Sequence, residues 1–144
     1  MTKDPSRFAR YDRAAFLATV PEKHRGLAET LCGHLEAAFP GDDITLFSGF
    51  PVVVRDMEWC AGFAVRANGV VAYCCSPATM ALMGDALRPY LSGKSCIAVK
   101  PRRGEALDVV VALVARAFHE AAKHDGMISK ADARKREARR RAEG

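Results

Sequence analysis

The sequence predicts an α+β domain whose mainly antiparallel sheet is covered by helices, in the order α-α-β-β-β-α-β-α. Three observations carry that expectation. Apolar residues recur at three- and four-residue steps near both ends, at Leu27, Leu31, Leu35 and Ala38 and again at Val110, Val111, Val114, Phe118 and Ala121, the spacing of one helix face. The middle is made of short runs rich in valine and aromatic residues, parted by Gly, Pro and Asn, which is how strands and turns read. Within it, Ala67-Asn68-Gly69 links two such runs so closely that they must form a hairpin.

Taken in order, residues 1–10 read as a loose leader, charged and broken by Pro5. A short helix is expected from Tyr11 to Val20, with Phe16, Leu17 and Val20 on one side. Pro21 suits the first turn of the next helix, where its missing N–H would have no partner anyway. Pro40 and Gly41 end that helix. Ile44, Leu46 and the Val52-Val53-Val54 run flank a turn or bend at Ser48-Gly49-Phe50-Pro51. The hairpin follows, with strands near 58–66 and 70–75. On its first strand, the two-residue period puts Trp59, Ala61, Phe63 and Val65 on one face.

Pro77 opens a third helix through about Tyr90, with Met80, Met83 (or Ala81) and Leu87 inward. Ser92-Gly93-Lys94 turns into a short strand, Ser95 to Val99, closed by Pro101. The last long helix covers about 105–123, with Leu107 joining its apolar stripe. Gly126 stops it, and Ser129 with Asp132 resembles a capping box. The chain therefore divides into the leader, one α+β domain over 11–126 and a basic tail over 127–144.

A length of 144 residues fits one domain, long enough to bury roughly two thirds of the surface its unfolded chain exposes. No apolar run approaches the roughly 20 residues that span a bilayer, and no apolar segment follows the charged N-terminus. The expectation is a cytoplasmic protein with no membrane partner. Five cysteines, an odd number spread through apolar contexts, agree with a reducing compartment. The net charge of +5 is concentrated at one end: residues 129–144 hold seven of the 22 basic residues and three of the 17 acidic ones. The body is nearly neutral.

The adjacent cysteines of VAYCCSPATM, Cys74 and Cys75, invite a chemical reading. On a strand their side chains point to opposite faces, so they cannot share one metal ion without a break. Neither belongs to a C-x-x-C pair, the spacing that marks tetrahedral zinc sites. Packing is the expectation for both. One alternative stays open: a kink at Ser76-Pro77 sets Cys75 at a helix N-terminus, where a thiolate is favoured. HEAAKH, residues 119–124, has its histidines five apart, about 140° around a helix, so His119 and His124 cannot face one metal. His24 and His34 stand ten apart on one helix. Asp42-Asp43 and Asp56 with Glu58 are short acidic pairs in loops, with no set of oxygen ligands for a hard cation. No Gly-rich phosphate loop and no Gly-x-Ser-x-Gly elbow is present.

Two candidate binding regions remain. Phe50, Trp59, Phe63 and Tyr73 offer aromatic walls and Lys94 a positive tip on a turn, the make-up of a small-ligand site. Phe50, Trp59, Tyr73 and Lys94 are the ligand-binding candidates. Core packing of the aromatics, with Lys94 solvated, is the other reading of the same residues. The tail carries Lys130, Arg134, Lys135, Arg136, Arg139, Arg140 and Arg141. It has no apolar face to bury, so it reads as disordered or a frayed helix. Weak, salt-sensitive contact with nucleic-acid phosphates is the function open to it.

Several segments resemble, in this order, the YdhG-like family: PEKHRGLAETL…AAFPG, SGFPVVV, the hairpin, and CSPATMALMGDALRPYLSGKSCIAV with its closing helix. The likeness covers about residues 11–120, and Gly49, Pro51, Gly93 and Lys94 match its pattern as turn-shaping positions. The resemblance implies an α+β fold. It also implies iron handling as one role, since some relatives are described as frataxin-like iron chaperones, although the acidic residues here form no dense ridge. It implies no catalytic residues and leaves the cofactor unknown.

The reading is a binding or accessory module rather than an enzyme, handling a small ligand or protein partner, or iron. The alternative is a nucleic-acid or ribosome-associated accessory attaching through residues 129–144. Edge strands near 43–54 or 95–99 leave room for a homodimer.

Overall fold

The computed structural model describes residues 8–55, 58–74, 76–92 and 96–123. Helix α1, Arg13–Thr19, starts at Asp12, whose side chain accepts from the Ala15 N–H at 3.3 Å, an N-cap that satisfies one of the first unpaired donors. Helix α2, Glu22–Ala38, follows after Pro21, and it buries Ala28, Leu31, Cys32, Leu35 and Ala38. Helix α3, Pro77–Leu87, is capped by Ser76, whose Oγ accepts from the Thr79 N–H at 3.1 Å. A single 3-10 turn, Arg88–Tyr90, ends it. Helix α4, Leu107–Ala122, buries Val110, Val111, Val114, Ala117, Phe118 and Ala121. Leu107, expected on that stripe, stays 37% exposed, because it is the helix's first residue and precedes the core.

The strands are β1 (Phe8–Arg10), β2 (Ile44–Phe47), β3 (Phe50–Arg55), β4 (Glu58–Arg66), β5 (Gly69–Tyr73) and β6 (Cys96–Ala98). They form one antiparallel sheet in sequence order, β1-β2-β3-β4-β5-β6. The α+β class with an antiparallel sheet and covering helices is what the sequence predicts. Two details of the order differ. Residues 8–10, expected as part of a loose leader, pair with β2, and Phe8 meets Phe47 edge-on at 4.9 Å. A three-residue strand is too short to show a period. The region between α2 and α3 holds four strands where three were expected, because a tight turn parts β2 from β3. Ser48 and Gly49 both have positive φ, at 50° and 89°, as the two-residue turns that match the strand twist require.

This arrangement also corrects the proposed pairing edges. The segment near 43–54 lies inside the sheet, with β1 on one side and β4 on the other. The β6 strand is last in the sheet but carries an antiparallel bridge from Leu91 to Ile97.

One hydrophobic cluster joins all four helices to a single face of the sheet. It contains Phe16 from α1, Leu31 and Leu35 from α2, Leu87 from α3 and Val114 and Phe118 from α4, packed on Val53, Ala61, Phe63, Ala72 and Ile97. Phe16 and Phe63 meet edge to face at 5.8 Å. Cys60 and Cys74 are fully buried in the same cluster, which is the packing role expected for Cys74. Phe47, Val52 and Ala64 are buried too, yet they belong to the opposite face. Among the described residues, no helix is long and apolar enough to cross a membrane. The Gly126 stop and the Ser129-Asp132 cap lie outside the described residues.

Candidate functional site: an aromatic sheet face and the cleft beside it

The sequence period puts Trp59 beside Phe63, but the structure places it on the other face. Between β3 and β4, Val53 pairs with Ala61 while Val54 pairs with Trp59. Cys60 is therefore the extra residue of a β-bulge, and such a residue shifts everything beyond it by one side-chain position. Cys60 and Ala61 enter the helix-covered core, and Trp59 turns away from it. There Trp59 packs edge-on against Phe47 at 5.0 Å and Tyr73 at 5.5 Å. With Phe8 against Phe47, four rings cross the sheet from β1 to β5. Such edge-to-face pairs contribute about 0.5–1.5 kcal/mol each beyond their buried area.

Gly62 makes the close approach of β3 and β4 feasible. A Cβ there would lie 2.6 Å from the Pro51 carbonyl oxygen and 2.8 Å from Val52 Cγ1, so any side chain would push the strands apart.

Arg66 ties the remaining aromatic candidate to this face. It closes the β4–β5 hairpin opposite Gly69, and Tyr73 pairs with Gly62 on the same ladder, so both side chains project to the face away from the helices. Arg66 Nη2 donates to the Tyr73 hydroxyl at 2.9 Å. The same guanidinium lies 5.3 Å from the centre of the Phe50 ring, within cation–π range. Among the described residues no carboxylate pairs with Arg66. Its charge is held in place by a ring and a phenol, and it stays available to an anion.

Arg66 and Phe50 also line a cleft of about 560 Å³ at one end of the sheet. Its other walls are Phe16, Thr19 and Val20 of the α1 region, with Leu46 and Val65 from the strands. The α1 wall is fixed from behind by Arg25, which donates to the Leu17 carbonyl at 3.1 Å and the Val20 carbonyl at 2.9 Å. The Leu17 oxygen also accepts the Val20 N–H at 3.1 Å, so Arg25 reinforces a helix end that the backbone already closes. The cleft is apolar apart from Arg66, Thr19 and backbone, and its size falls in the usual range for small-molecule sites.

Of the four expected ligand-binding residues, Phe50, Trp59 and Tyr73 share one sheet face, while Lys94 lies outside the described residues. Phe63, expected as a fourth aromatic wall, is instead fully buried in the helix-covered core, because the bulge separates its face from that of Trp59. Only Phe50 reaches the cleft. Sequence reasoning missed Arg66, and a signal for it existed: the Asn68-Gly69 turn fixes the hairpin register, which puts Arg66 and Tyr73 on one face. The tail candidates Lys130, Arg134, Lys135, Arg136, Arg139, Arg140 and Arg141 lie outside the described residues, as do Cys75 and His124.

The other polar clusters brace the fold. Tyr11 donates to Glu36 Oε2 at 2.7 Å, and Arg13 binds both oxygens of the same carboxylate at 2.8 and 2.7 Å. The Arg13 hydrogen bonds hold Glu36 below the usual carboxylate range, and burial pushes the neighbouring Cys32 thiol up. On the far side Arg55 binds Asp42 through two bonds of 2.8 and 2.6 Å and donates to the Ala122 carbonyl at 2.8 Å. Among the described residues, no group of three or more His, Cys, Asp or Glu side chains gathers to hold a metal ion.

No family model, no curated protein and no solved structure matches this chain.

Proposed function

We propose that this protein is a small-ligand binding module whose site is the cleft between α1 and the two hairpin turns, with Arg66 as its polar anchor. The observation that carries the reading is the state of Arg66. A guanidinium oriented by Phe50 and Tyr73, without a carboxylate partner among the described residues, stands in the wall of an otherwise apolar hollow. An apolar body would fill the cleft and displace water from the half-buried Leu46, Phe50 and Val65, over a floor of the buried Phe16 and Val20, at about 25 cal/mol per Å² buried. Arg66 would set its orientation, as the few polar groups of such sites do.

The YdhG-like likeness of the sequence belongs to this reading, and the α+β architecture supports it. So does a cytoplasmic setting, on the strength of the odd cysteine count. Among the described residues the polar side chains of the cleft are Arg66 and Thr19, whose hydroxyl donates to the Phe16 carbonyl at 2.7 Å, and this supports a binding reading.

Calorimetric titration of the full chain with hexan-1-ol, hexanoate and octanoate tests it. The expected result is saturable one-site binding with a dissociation constant near or below about 1 mM. Ala15 is exposed and lines the cleft, so Ala15→Trp should fill it and abolish binding without unfolding the protein. No saturable binding of any of the three, or equal binding by Ala15→Trp, would remove the proposal.

A further inference from the structure

Arg66 lines two hollows. Beside the apolar cleft is a smaller one of about 180 Å³, formed by Arg66 with Asn68, Val71, Ser92, Ala98 and Lys100. The Ala67–Asn68 turn divides them, with Ala67 in the wall of the first and Asn68 in that of the second. Lys100 is set there by its strand end: the Val99 N–H donates to the Val70 carbonyl at 2.9 Å and the Lys100 N–H to the Ala98 carbonyl at 3.0 Å.

The chemistry of the second hollow is one-sided. Arg66 and Lys100 are both cationic, and among the described residues no acidic side chain lines it. Among the described residues neither cation has a carboxylate partner, and the side chains of Asn68 and Ser92 form no hydrogen bond. Two unneutralised cations in one small hollow repel each other, and an anion between them would reverse the sign of that interaction. A carboxylate carries one charge and two oxygens, which Arg66 alone can match. A phosphoryl group carries about −1.5 to −2 charges and three strong acceptor oxygens. That matches an Arg, a Lys and two neutral donors.

We infer that the ligand is an apolar phosphate monoester, with its alkyl or aryl group in the cleft and its phosphoryl group between Arg66 and Lys100. This rests on the reading of the cleft as the binding site and adds the class of ligand.

The test compares hexan-1-ol, hexanoate, hexyl phosphate and inorganic phosphate by titration calorimetry on the full chain and on Lys100→Gln. Lys100 is exposed, so the substitution should leave the fold intact. Hexyl phosphate should bind the wild type about 10-fold or more tighter than hexan-1-ol, a difference of about 1.4 kcal/mol. Lys100→Gln should weaken hexyl phosphate by about 5–10-fold and leave hexan-1-ol unchanged, and added salt should shrink the preference. If the alcohol and the phosphate ester bind equally, or if Lys100→Gln affects neither, the phosphate assignment fails while the cleft still stands. If inorganic phosphate binds as tightly as hexyl phosphate, the two hollows do not share a ligand and the inference falls. If no apolar compound binds, the cleft reading itself has failed.

Discussion

The Tyr73 hydroxyl receives a hydrogen bond from Arg66 at 2.9 Å, and this bond connects the aromatic sheet face to the ligand cleft. Removing the hydroxyl in Tyr73→Phe leaves Arg66 stacked on Phe50 but free to turn. Because Arg66 is exposed, stability should fall by no more than about 1 kcal/mol. Affinity for an anionic ligand should fall several-fold, with hexan-1-ol unaffected. Urea unfolding alongside calorimetry separates the two effects, and an equal loss for alcohol and acid would show that the bond only braces the sheet.

Trp59 tests the bulge. It is half-buried between Phe47 and Tyr73, and Trp59→Ala removes both edge contacts. The expected loss is about 2 kcal/mol, below the 3–5 kcal/mol of a fully enclosed aromatic. Trp59→Phe should recover most of it. Urea denaturation midpoints measure this, and no loss in Trp59→Ala would mean that the four-ring row carries no weight.

The bulge also marks where the sequence stopped being legible. Helix stripes such as Leu31, Leu35 and Ala38 translate directly into burial, with Leu27 half-buried at the margin, because the 3.6-residue period is fixed along a helix. The Asn68-Gly69 hairpin is equally direct. A single extra residue at Cys60 has no local signature, since Cys60 and Ala61 are both small and apolar, and it reverses the side on which Trp59 emerges. That is why the two-residue period, which sets Trp59 beside Phe63, groups it with a core residue instead of with Phe47 and Tyr73. The cleft was hidden for another reason. Its walls come from α1, β2, β3 and β4, and their meeting depends on tertiary packing that no window of sequence contains. Arg66 is in reach of register reasoning, whereas the expectation for Lys94 rests on its Gly-Lys sequence alone.

Gly62→Ala should be severely destabilising. The added methyl would meet the Pro51 carbonyl oxygen and Val52 within 3 Å, and backbone cannot step aside as a flexible side chain can. A loss of about 2–3 kcal/mol or more is expected. Gly41→Ala is the control: its Cβ would meet nothing within 4 Å, so its effect should stay within about 0.5 kcal/mol. Thermal unfolding of the two variants side by side checks the contrast.

Acid should unfold the protein in part through Asp42. Hydrogen bonding to Arg55 holds its carboxyl below the ordinary value of 3.8. A group whose pKa is depressed by folding stabilises the native state above its unfolded pKa and loses that contribution as pH falls through the folded value. Stability should therefore be level down to about pH 4 and fall below it. Asp42→Asn should cost about 1–2 kcal/mol at pH 7 and flatten the acid slope. Arg55→Met should cost more, because it also withdraws the donor from the Ala122 carbonyl at the end of α4 and the guanidinium from the Phe39 ring, 5.3 Å away. Urea unfolding at a series of pH values gives both slopes. An unchanged slope in Asp42→Asn would assign the acid sensitivity elsewhere, first to Glu36.

The central claim is that an anionic ligand enters the cleft and is held by Arg66. Titrating nitrogen-15-labelled protein with octanoate, while following the Arg66 side-chain Nε–H together with the amides of Thr19, Phe50 and Ala67, tests it most directly. The account predicts that all four signals move along one saturable curve and stay still in Ala15→Trp. Movement of the Arg66 signal with Thr19 and Phe50 unmoved would mean surface ion pairing without occupation of the cleft, and would contradict it.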